Sequence, residues 1–112
     1  MVKPSTRPYS QYCLDALALL GQLVREARIA RSMTTSDVAE RAGISRALLQ
    51  RIERGDPGCS IGAVFEVAAL CGVPLFELEP RALASRVGLQ REMMALLPKS
   101  VRRSSQDVND DF

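Results

Sequence analysis

The chain has 112 residues, a net charge of +2 and 46% hydrophobic residues, enough for one domain with a modest core plus tails. It has no histidine, and Cys13, Cys59 and Cys71 form no Cys-x-x-Cys pair. No metal, cofactor or enzyme activity is therefore expected, because the usual zinc ligands and the commonest general base are missing. No apolar run is long enough for a membrane span or placed to be a signal peptide, so a cytoplasmic location is expected.

Residues 1–9 carry two prolines and small polar side chains, and are expected to form a flexible arm. From about Ser10 to Arg31 the pattern predicts a helix, with Leu14, Leu17, Leu20, Val24 and Arg28 recurring at three- and four-residue steps. Gly21 inside it costs about 1 kcal/mol against Ala and reads as a close packing contact. Thr34 then caps the next helix, with Asp37 three residues on completing a weak capping box and Met33 and Val38 at hydrophobic-staple positions.

The stretch Thr35–Arg54, TSDVAERAGISRALLQRIER, predicts two short helices joined at Gly43. Val38, Ala42, Ile44, Leu49 and Ile52 supply the apolar face. Ala39 is small where crossing helices approach, Gly43 takes the left-handed conformation that ends the first helix, and Ser45 caps the second. Outward on the second helix lie Arg46, Ala47, Gln50 and Arg51, with Arg54 at its end. These types suit the major groove, where a forked donor reads guanine, an amide reads adenine and a methyl meets thymine. An ordinary helical hairpin would share the basic face but not this arrangement around the turn.

Gly55-Asp56-Pro57-Gly58 signals a turn, and Ser60 can cap a fourth helix over Ile61 to Cys71, ended by Gly72. A short fifth helix is expected from Pro74 to about Glu79, stopped by Pro80. Residues 81–97 look helical, with Gly88 as the weak point and Leu83, Val87, Met94 and Leu97 on a shared face suited to a second subunit. The expected organisation is an arm at 1–9, a helix-turn-helix domain at 10–80, a C-terminal helix at 81–98 for dimerisation or partner contact, and a disordered tail at 99–112. The fold class is all-α, a five-helix domain with an additional C-terminal helix.

Charge alternates along the chain: residues 25–54 sum to +3, 55–80 to −4, 81–103 to +5 and the last nine to −3. One face is thus suited to phosphate and another to something else. Asp107, Asp110 and Asp111 before Phe112 form an acidic stretch with two readings, a solubilising tail or a peptide that orders on a partner.

The sequence from LGQLVREARIARSMTTSDVAERAGISRALLQRIERG through VFEVAALCGVPLFEL resembles the Cro and phage-repressor (XRE) family of helix-turn-helix regulators. The resemblance implies that the second motif helix enters the major groove. Ser45, Arg46, Ala47, Gln50 and Arg51 then face bases, while Thr35, Ser36 and Arg54 face phosphates. It also implies a structural ion pair between Arg28 and Glu53. Two positions depart from the family pattern. Thr35 stands where glutamine is frequent and reaches less far. Leu48 stands where a small or polar residue is usual, an exposed apolar choice for a thymine methyl or a partner.

The RIERGDPG loop, the acidic VFEVAALCGVPLFELEP segment and the DVNDDF ending further resemble HipB-type antitoxins. That resemblance implies a homodimer on a palindromic operator in double-stranded DNA, and a HipA-like serine/threonine kinase toxin as partner. A solitary regulator of unlinked genes, or an interaction adaptor that does not read DNA, are the alternative functions.

Overall fold

In the computed structural model of the protein, residues 8–101 are described. They form α1 (Gln11–Ala30), α2 (Thr35–Ala42), α3 (Arg46–Glu53), α4 (Ile61–Leu70) and α5 (Pro80–Ala95). No strand occurs among the described residues, so the fold is all-α as expected. The chain divides into two compact units, one ending at Glu77 and carrying α1–α4, the other beginning at Leu78 and carrying α5.

Hydroxyl caps start all four helices of the first unit. Ser10, Thr34, Ser45 and Ser60 are extended N-cap residues whose side chains accept the N–H of Cys13, Asp37, Leu48 and Ala63. Each of these helices also ends alike, an amide just past the last turn reaching back five residues to a carbonyl of the helix: Met33 to Arg28, Ile44 to Ala39, Asp56 to Arg51 and Val73 to Ala68. The link needs one residue in the left-handed region. Gly43 takes it at φ 72°, but after α1 the position falls to Ser32 at φ 56°.

The core of this unit is Val24, Val38, Ala39, Leu49, Ile52, Val64, Val67, Ala68, Cys71 and Val73, and α2 packs against both α3 and α4. α1 packs on α3. A Cβ on Gly21 would lie 2.6 Å from the carbonyl oxygens of Ile52 and Glu53, so the glycine is a contact point, not a break. Two residues past α3, a Cβ on Gly55 would lie 2.9 Å from the Ala18 backbone. Ala18, Gly21, Val24 and Arg28 recur at helical spacing, so one face of α1 fixes the C-terminal end of α3.

Two expectations fail. Pro74 to Glu79 forms no helix: Phe76 and Glu77 both take positive φ, 56° and 59°, and make a turn. Five residues between two prolines cannot offset the cost of helix nucleation, and Pro80 disfavours helical geometry at Glu79. The turn instead sets the Phe76 ring edge-on to Phe65, with centroids 6.3 Å apart. Pro80, expected as a stop, is the first residue of α5, where its missing N–H costs nothing.

Candidate nucleic-acid interface

The turn between α2 and α3 is built locally. Thr34 N–H donates to Asp37 Oδ2 at 2.9 Å, and Asp37 N–H donates to Thr34 Oγ1 at 3.0 Å, completing the capping box. The Thr34 amide first, and then its nearby hydroxyl, hold the Asp37 carboxyl below the usual carboxylate range. Thr35 and Ser36 follow as the first residues of α2, Thr35 half-buried and Ser36 exposed.

On α3, Leu49 and Ile52 face the core while Ser45, Arg46, Ala47, Gln50 and Arg54 are exposed. At 100° per residue the last four of these, with Arg51, share the side opposite Leu49 and Ile52. Ser45 Oγ accepts the Leu48 N–H at 3.0 Å, which leaves its own proton to donate outward. Leu48 is not the exposed apolar residue expected: it is half-buried and packs against the core. Its place beside Leu49 and Ile52 on the helix wheel explains this.

Behind the helix, Arg28 Nε donates to Glu53 Oε2 at 2.8 Å, Nη2 to Oε1 at 3.2 Å and Nη1 to the Met33 carbonyl at 3.1 Å. The side chains retain 10% and 8% of their exposure. Donation to Glu53 pushes the Arg28 pKa up against the opposing effect of burial. One guanidinium therefore ties together α1, the loop before α2, and the last residue of α3.

A feature absent from the sequence reading lies at the far end of α3. Arg51 Nε donates to Asp56 Oδ2 at 2.8 Å, and Asp56 Oδ1 accepts the Gly58 N–H at 2.8 Å. These contacts hold the Asp56 carboxyl low and the Arg51 pKa high. Acid five residues after a helical arginine, across a left-handed glycine, is the signal that could have revealed it. Burial raises the thiol pKa of Cys59 and Cys71, which keeps both protonated at neutral pH.

Among the described residues no group of His, Cys, Asp and Glu could hold a metal ion, and no helix is long and apolar enough to cross a membrane. Asp107, Asp110, Asp111 and Phe112 lie outside the described residues.

Two short helices meeting at a left-handed glycine, the second backed by core and basic outside, define a helix-turn-helix protein of the DNA-binding regulator class. Residues 19–80, more than half of the chain, match the helix-turn-helix domain family, and the protein belongs to it. No curated protein matches the chain.

Proposed function

We propose that the protein is a sequence-specific DNA-binding transcriptional repressor of the XRE type. The observation that carries this reading is the outer face of α3, where Arg46, Ala47, Gln50 and Arg54 are exposed together while the opposite face is locked into the core. α3 enters the major groove, with Ser45, Arg46, Ala47, Gln50 and Arg51 toward base edges. The start of α2, with Thr35 and Ser36, turns its free amides to a phosphate, and Arg54 meets another.

The repressor acts as a homodimer on a palindromic operator, each protomer reading one half-site. Supporting this is α5, in which no residue is buried and Val87 and Met94, seven residues apart and so on one side of the helix, are both exposed. An apolar surface of this kind fits a self-complementary contact between two copies. We further propose that it is the antitoxin of a HipBA-type pair, controlling its own operon and holding a kinase toxin, with Asp107, Asp110, Asp111 and Phe112 engaging that toxin. The support for this part is the resemblance in sequence alone.

Selection of duplexes from a random-sequence pool tests the repressor reading: enrichment of an inverted repeat is expected, and recovery of unenriched sequence would count against it. Co-expression with the neighbouring reading frame tests the antitoxin reading. A co-purifying kinase supports it, and the absence of any kinase-like frame beside the gene favours a solitary regulator.

A further inference from the structure

Among the described residues, Arg46 makes no hydrogen bond or ion pair, whereas Arg51 on the same outer face is anchored. Its Nε donates to Asp56, and Asp56 is itself fixed twice, by the Gly58 N–H on its carboxylate and by its own N–H on the Arg51 carbonyl at 3.0 Å. Gly58 leaves room for the guanidinium, since a Cβ there would sit 3.2 Å from Arg51 Nη2 and 3.3 Å from Asp56 Oδ1. No acceptor among the described residues holds the two terminal nitrogens of Arg51.

We propose that Asp56 is a positioning residue that fixes Arg51 as a guanine-reading arginine of α3, an inference that rests on the DNA-binding reading above. An arginine tied through Nε presents Nη1 and Nη2 as a ready fork, the geometry that O6 and N7 of guanine require. Its side chain is ordered before binding, so less freedom is lost on the DNA. A phosphate is the poorer target, because the Asp56 carboxylate opposes a second anion while base-edge acceptors carry no net charge. The pair is partly exposed, at 41% and 33% for the two side chains, so it adds little to fold stability. Removing it therefore acts mainly on where Arg51 stands.

The test measures affinities of wild type, Asp56→Ala, Arg51→Ala and the double variant, with thermal unfolding alongside. The probes are a duplex that wild type selects from a random-sequence pool and a duplex of random sequence. Arg51→Ala lowers affinity for the selected duplex roughly 5- to 150-fold and changes the random duplex much less. Asp56→Ala lowers it roughly 2- to 12-fold, the factor that ordering a long side chain at binding imposes, although it removes a negative charge beside DNA. In the double variant it adds nothing to the loss from Arg51→Ala.

Tighter binding of Asp56→Ala to both duplexes, which charge alone would dictate, overturns the proposal. So does an equal loss from Asp56→Ala with and without Arg51. A wild-type protein that selects no sequence removes the DNA-reading function itself. The anchoring has its own readout without DNA: the Arg51 Nε–H resonance is protected from exchange in wild type, and an unchanged signal in Asp56→Ala would contradict the anchor.

Discussion

Arg28 donates three hydrogen bonds, two to Glu53 and one to the Met33 carbonyl, from a side chain that retains 10% exposure. Removing either partner strands the other's charge in a mostly buried place, so Arg28→Ala and Glu53→Ala should each cost about 3–5 kcal/mol of stability. The arginine change should cost more, because it also strips the Met33 carbonyl of its donor. A paired replacement by Met and Leu should cost less than either single change. Denaturant unfolding of the variants decides it, and losses that simply add would mean that the two side chains act separately.

On the opposite face of α3, Arg46 and Arg54 are both exposed, yet the proposed interface gives them different tasks. Arg46→Ala should lose about 1–3 kcal/mol on a selected duplex and relax preference at one base pair per half-site. Arg54→Ala should weaken all duplexes alike and lower the salt slope by about one phosphate's worth. Binding titrations at several salt concentrations separate them, and identical profiles for the two variants would remove the distinction.

At the scale of the helices, the left-handed residue after α1 is a serine, at φ 56°, where α2 has Gly43. A side chain there costs about 1–2 kcal/mol, part of which glycine would give back as unfolded-state freedom. Ser32→Gly should therefore raise the unfolding midpoint slightly, and a fall would show that the serine is held by something other than the backbone turn. The capping box of α2 carries a pH signature. The Asp37 carboxyl is held below its unfolded value, near 3.9 for an unperturbed aspartate, by the Thr34 amide and hydroxyl. Its stabilising contribution is thus complete above about pH 4 and lost as pH falls through the lower folded value. The gap in thermal midpoint between wild type and Asp37→Ala should close on acidification, and a gap independent of pH would exclude the ionised cap.

These helix ends were legible in the sequence because their causes are local. Thr34, Ser45 and Ser60 act on amides three residues away, and Gly43 needs only its missing side chain. The Pro74–Glu79 turn was not legible, because the contact of Phe76 with Phe65 joins residues on separate elements. The same holds for Arg51, whose outward position followed from the helix period while its anchor depended on how Asp56 turns back after Gly55. The place of Leu48 was not legible either, because one step around the wheel separates a core flank from an exposed face.

For the whole molecule, two units of unlike character follow one another: α1–α4 enclose a core, and α5 buries none of its side chains. Val87 and Met94 lie seven residues apart, share one side of α5 and are both exposed. Changing both to Glu should dissociate the proposed dimer while leaving the unfolding of the first unit intact. Sedimentation equilibrium reads this directly, and a wild type that is already monomeric would remove the dimer. Loss of the dimer should weaken operator binding far more than binding to random DNA, since a palindrome is gripped by two linked half-site contacts.

The central claim is that the outer face of α3 reads sequence, and one comparison tests it most directly. It is the affinity of the wild-type protein for a duplex it has selected and for a random duplex, across a range of salt. The account predicts that both affinities fall with salt as phosphate contacts weaken, while the selected duplex stays roughly a thousandfold or more ahead. Equal affinity for the two duplexes at every salt concentration would contradict it.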